Sequence, residues 1–217
     1  MWSPHLNKFV RHSSVLLYAA LSGLAFAQQP PVEPPPVPEE AAVRPAPRSY
    51  PSRAVAEFGR AVTLARSGDP TEAELEFGQL AAAYPDYAGP QINIGLLRRK
   101  AGNLEGAEQA LRVATERNPA SAMAWTELGV TLRMLGRFSD SAAAHQRAVA
   151  ADPAFAPAHR NLAVVLDLYL DQPAPALEAL ERYKALTGDD KQVSGWIAEL
   201  RQRVNRAAAP KPEEPAT

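Results

Sequence analysis

The sequence predicts an all-α solenoid of about four helix–turn–helix units closed by one further helix, and three observations carry that expectation. Pro85, Pro119 and Pro153 recur on a constant 34-residue period. Gly68, Gly102 and Gly136 follow the same ruler and precede those prolines by half of it. Alanine is abundant while Val, Ile and Thr are scattered singly, so the chain is rich in helix formers and poor in strand material. A fixed period of this length means stacked units, each too small to bury its apolar face alone.

In chain order, the first segment reads as an address. Met1 to Ser14 carries Lys8 and Arg11 and no acid, Val15 to Leu24 is mostly apolar, and Ala25-Phe26-Ala27 is a small-x-small cleavage site, so residues 1–27 are expected to be a Sec-type signal peptide. The apolar run from Val15 to Ala27 falls well short of the ~20 residues that span a bilayer as a helix. The alternative is an uncleaved signal anchoring the protein in the inner membrane, facing the periplasm. Cleavage leaves 21 Lys and Arg against 24 Asp and Glu, a net charge of −3. Such a balance argues against a nucleic-acid or anionic-membrane partner.

Residues 28–52 change character, with nine prolines and no glycine. Proline fixes φ and lacks an amide donor, so this stretch is expected to run as an extended, stiff spacer. Its Pro/Glu alternation distantly resembles the periplasm-spanning segment of energy-transducing TonB proteins. Residues 207–217 form a short Ala/Pro/Glu/Lys tail, expected to be disordered.

Between the tails, each proline follows an Ala-rich apolar run and sits in a short break, YPDYAG, NPASAM or DPAFAP. Helices therefore stop there and new ones begin, with a glycine turn inside each unit. The predicted helices are 53–67, 71–83, 88–101, 104–117, 122–135, 138–151, 156–169, 173–187 and 190–206. The last, with Val193, Ile197, Leu200 and Val204 on one face, is an amphipathic cap for the final unit.

Trp125, Leu128, Gly129, Leu132, Gly136, Ser141, Ala148 and Pro153 resemble the spaced large and small positions of the tetratricopeptide-repeat (TPR) family. The resemblance covers 53–206, with repeats about 54–87, 88–121, 122–155 and 156–189 and a cap helix 190–206. It implies a right-handed superhelix in which Ala61, Gly95, Gly129 and Ala163 let paired helices approach. Ala73, Ala107, Ser141 and, one residue late, Ala176 fill the second small place. Phe77, Leu111 and Leu180 should face back into the stack. The departures are Glu57, Arg60, Gln91 and Arg98 at places usually large and apolar, and Gly188 where a proline is usual.

The same resemblance implies a concave groove, lined by the first helix of each unit, that holds a peptide or a partner protein. By family position, Asn93, Glu127 and Asn161 should point into it, joined by Arg99, Met123, Thr126, Val130, Arg133, Arg160 and Val164. An amide both donates to and accepts from a peptide backbone, which suits an extended ligand. The Lys, Asn and Arg clamp by which some TPR domains bind a carboxyl-terminal acid is absent but for its asparagine. The expected role is a periplasmic or envelope-associated interaction scaffold. The alternative is a permanent structural part of an envelope assembly, such as a pilus, secretion, export or TonB-type system.

Chemistry is not expected. With no cysteine there are no disulfides, thiolate metal sites, cysteine nucleophiles or lipidated cysteine. Beyond residue 27 only His145 and His159 remain, in different repeats, without HExxH, GxSxG, GxGxxG or phosphate-loop patterns. His145 takes a place the family gives to a large side chain, so a packed imidazole is expected. No catalytic residue, metal, cofactor or small-molecule substrate is expected, and a membrane enters only through an uncleaved signal or a partner.

Overall fold

The computed structural model describes residues 51–188 and 190–208. Every one of these lies in a helix or a tight connection, and no strand occurs among them. The helices are α1 (Ser52–Ser67), α2 (Pro70–Ala83), α3 (Ala88–Lys100), α4 (Leu104–Arg117), α5 (Ala122–Met134), α6 (Phe138–Ala151), α7 (Ala156–Leu168), α8 (Pro173–Thr187) and α9 (Lys191–Ala208). Their ends fall at or next to the expected bounds, except that α9 ends two residues beyond its own. The signal, most of the proline-rich segment and the tail from residue 209 lie outside the described residues.

The period is visible in the turns that generate it. Gly68, Gly102 and Gly136 have φ of 101°, 83° and 76°, a left-handed conformation that costs a side-chain-bearing residue dearly and glycine nothing. Asp69 and Asn103, the next residues in the first two hairpins, cap α2 and α4 by accepting from the amides of Glu72 (3.0 Å) and Gly106 (2.9 Å). In the fourth hairpin no glycine is present and Asp171 takes the left-handed place with φ of 48°, a conformation Asp tolerates better than most residues. Between hairpins one turn recurs three times. The amides of Tyr87, Ser121 and Phe155 bond the carbonyls of Tyr84, Asn118 and Asp152, with Pro85, Pro119 and Pro153 at the second position, where a fixed φ fits.

Packing follows the small and large positions. Ala61, Ala163, Ala73, Ala107, Ser141 and Ala176 are wholly buried, as are Phe77, Leu111 and Leu180. A Cβ on Gly95 would come 2.6 Å from Leu111 Cγ, so α3 and α4 approach as closely as glycine permits. Ser141 satisfies its buried hydroxyl by donating to the Gly129 carbonyl at 2.7 Å. Trp125 and His159, register mates in successive repeats, make the same contact: their ring nitrogens meet the carbonyls of Pro119 (2.8 Å) and Pro153 (3.0 Å).

The departures have physical reasons. The register mates of Glu57 and Arg60 in later repeats face the preceding hairpin. No hairpin precedes α1 among the described residues, so Glu57 pairs with Arg53 at 2.7 Å and Arg60 reaches Glu76 at 3.4 Å in solvent. Arg98 bridges repeats by donating to Glu74 at 2.8 Å and to the Gly106 carbonyl at 3.3 Å. At the other end, α9 lays Val193, Ile197 and Leu200 on α8. It also bonds back to α7, where the buried Asp167 accepts from Trp196 Nε1 at 2.6 Å and from Arg203. That carboxylate holds the Arg203 guanidinium above its ordinary range.

Candidate functional site

First helices touch one another across repeat boundaries, α3 with α5 and α5 with α7, while no comparable contact joins α2 to α4, α4 to α6 or α6 to α8. The repeat stack therefore bends with α3, α5 and α7 on its inner side. Two of these helices, α5 and α7, carry much of the exposed apolar surface. Among the described residues six large hydrophobics are exposed, and Val55, Met123, Met134, Leu168 and Tyr169 lie on first helices or at their ends. The sixth, Leu75, lines a trough of about 760 Å3 between α2 and α3 with Gly78, Ala82 and Leu97.

The expected groove residues divide into three groups. Met123 (52% exposed) and Arg160 are open to solvent, and Val130, Arg133, Asn161 and Val164 are half-buried at the surface. Asn93 is half-buried and donates its amide to the Gly89 carbonyl of its own helix at 2.9 Å. Arg99 and Glu127 are taken up with each other. The guanidinium donates to Glu127 Oε2 at 2.5 Å, to the Glu127 carbonyl at 3.1 Å and to Thr131 Oγ1 at 3.2 Å, tying α3 to α5.

Thr126 corrects the expectation of surface exposure. It is only 3% exposed and belongs to the packed interior. Met134, Leu168 and Tyr169 were not among the expected residues. The signal for the first two lay in the period itself, since each occupies the same register position, one repeat apart.

Around this surface the charge is unevenly partnered. Arg133 donates to the Tyr169 hydroxyl at 3.2 Å and lies 5.8 Å from that ring's centre. Tyr169 in turn stacks on Phe138 with centroids 4.5 Å apart. Among the described residues no acid pairs with Arg66, Lys100, Arg133 or Arg160. The nearby acids Glu127 and Asp167 are engaged by Arg99 and Arg203.

His145 lies outside the groove. It is wholly buried against Gly129, no group among the described residues hydrogen-bonds either ring nitrogen, and its pKa falls to about 3, first through burial and then through the charge of Arg133. Among the described residues there is no group of three His, Asp or Glu side chains placed to hold a metal. No helix among them is long and apolar enough to cross a membrane.

The tetratricopeptide-repeat family model matches residues 92–157. No curated protein matches. Among solved structures, MamA 41-end from Desulfovibrio magneticus RS-1 is similar at 20% identity and a TM-score of 0.58, over 72% of this chain and 88% of that one. Pseudomonas aeruginosa pilF is similar at 17% identity and a TM-score of 0.61, over 71% and 70% of the two chains. A Thermobaculum terrenum O-GlcNAc transferase mutant shares 24% identity and a TM-score of 0.53 over 63% of this chain but 27% of its own length. The matched stretch, the same period continuing on either side of it and these structural likenesses show that the fold is a tetratricopeptide-repeat solenoid.

Proposed function

We infer that the chain is a non-enzymatic scaffold whose inner face, formed by α3, α5 and α7, holds a segment of a partner protein. One observation carries this reading: of the exposed large hydrophobic residues, all but Leu75 gather on or at the ends of the first helices. A soluble fold spreads such residues singly, and the gathering of four of the six on or at the ends of α5 and α7 marks that side as a binding face. Met123 and Met134 suit it, since an unbranched thioether side chain adapts to varied apolar partners.

The place of action is proposed to be the periplasm, on the strength of the Ala25-Phe26-Ala27 cleavage site. Amino-terminal sequencing of the protein from envelope fractions should begin at Gln28, and an intact Met1 in membranes would favour the anchored form.

The groove is tested by photo-crosslinking in the native envelope. A photoreactive residue at Met134 or Leu168 should capture a discrete partner, whereas one at Gln109, exposed on α4, should not. Capture from Gln109 with none from Met134 or Leu168 would move the binding face to the second helices.

A further inference from the structure

The Arg99–Glu127 tie between α3 and α5 has a counterpart in register one repeat later, and there the acid is missing. Arg133 stands where Arg99 stands, Val165 replaces Thr131, and Asn161 replaces Glu127. In the first rung the guanidinium is held by a carboxylate, a carbonyl and a hydroxyl. In the second, Arg133 has among the described residues only the Tyr169 hydroxyl and ring as partners. Asn161 is half-buried at the place of the missing acid, and the exposed Arg160 adds a second cation without an acidic partner among the described residues.

Apolar anchors flank this rung. Met134 follows Arg133 and is 49% exposed, and Leu168, its mate one repeat on, is 62% exposed. Two further cations, Arg66 and Lys100, share the register position of Met134 and Leu168 on α1 and α3. The inner face thus carries an excess of positive charge although the chain as a whole is slightly acidic. A field of this kind draws in and orients acidic ligands.

We propose that the rung between α5 and α7 receives a side-chain carboxylate of the bound partner: an acidic protein segment whose Asp or Glu meets Arg133, Arg160 and Asn161 while neighbouring apolar side chains rest on Met134 and Leu168. The proposal rests on the groove being the binding face and adds the chemistry of its occupant. Its physical basis is that Arg99 and Glu127 already show how a carboxylate seats at this register. A guanidinium and a donating amide form strong charge-assisted bonds to a carboxylate. An amide in place of the acid leaves that seat to the ligand.

The test uses random-peptide selection on the full chain, followed by anisotropy measurements with labelled winners. Two variants accompany it. Asn161→Glu supplies the missing carboxylate from within, as Glu127 does for Arg99, and Met134→Glu with Leu168→Glu blocks the groove. Selected peptides are expected to carry Asp or Glu next to Leu, Met or Phe. They should bind the full chain about tenfold or more tighter than their Gln/Asn versions at about 50 mM salt, with the difference shrinking at about 0.5 M. Asn161→Glu should abolish that difference without lowering helix content or the melting temperature.

Peptides that bind the full chain and Asn161→Glu equally, with no gain from their acids, but lose binding in the blocked variant would overturn the carboxylate seat and leave the groove standing. Peptides that bind the blocked variant as well as the full chain would overturn the groove itself.

Discussion

Gly129 and His145 are in contact through the absence of a side chain: a Cβ on Gly129 would lie 2.6 Å from His145 Cε1 and 2.7 Å from Nε2. Gly95 and Leu111 make the same contact one repeat earlier. An imidazole has therefore been set where the earlier repeats place a large apolar side chain, and no hydrogen bond among the described residues offsets the cost of its burial.

The first prediction is a stability that depends on acid. The folded chain keeps His145 neutral down to about pH 3, whereas the unfolded chain takes up the proton near its ordinary 6.5. Below 6.5 protons thus favour unfolding, and the loss grows by on the order of 1.4 kcal/mol per pH unit until the folded imidazole itself titrates. His145→Leu copies Leu111 and removes the two unpartnered nitrogens. It should be about 1 to 2 kcal/mol more stable at pH 7.5, and its advantage should widen as pH falls from 6.5 to 4.5. Urea melts of both proteins across that range check it, and a constant difference would mean His145 is solvated or partnered in solution.

Glycines in this chain separate into two kinds, which gives a second prediction. Gly95→Ala drives a methyl group against Leu111 Cγ and should cost about 1 to 3 kcal/mol through overpacking. Gly59→Ala, on α1 with nothing within 4 Å of the new carbon, should gain about 0.5 to 1 kcal/mol from helix propensity. Opposite signs in thermal or urea denaturation are the expected result.

Trp125 supplies a third. It lies between hairpins, packed against the cluster of Ile92, Leu111 and Leu128 and against the Ala122–Ala148–Ala158 contact, and Arg147 covers its ring at 5.7 Å. Because the residue is only half-buried, Trp125→Ala should cost about 3 kcal/mol, the low end for truncating a core aromatic. It strikes the middle of a linear array, so the unfolding transition should broaden or split, as calorimetry would show.

The fourth concerns the carboxylate that fastens α9. Asp167→Ala strands Trp196 Nε1 and leaves Arg203 only its exposed contact with Asp171 at 2.9 Å, which should cost about 2 to 4 kcal/mol for breaking a largely buried ionic contact. The damage should be local. Amide exchange in α9 should rise sharply while α3 to α6 keep their protection. Uniform loss of protection would show that the array unfolds as one unit.

Much of this architecture was legible in the residues because its signals are local and repeated. A glycine turn, a proline turn and a small residue at a close approach each say the same thing in three or four units. The longer fourth turn was readable from Asp171 to Pro173. What could not be read was how side chains share their partners across a boundary. Glu127 and Arg99 both belong to the groove by position, yet these two groups, on helices of different repeats, neutralise each other. Thr126 has a surface position by family pattern, and packing between elements buries it. Met134 and Leu168 lie at the last residues of their helices, beyond the positions the family pattern supplies, and their exposure is set by how each helix ends.

The first hairpin is the least consolidated of the four. Only Ala54 and Ala61 of α1 are buried, against seven residues each in α5 and α7, and its outward side chains are the charged Glu57 and Arg60. The chain enters the array at Pro51, immediately before this helix. Tension applied through the amino-terminal segment would thus arrive at the element with the least to hold it. Under load α1 should peel from α2 first, and the remaining hairpins should follow in order, so that the two middle repeats, where the binding surface lies, stay folded after the entry hairpin has given way.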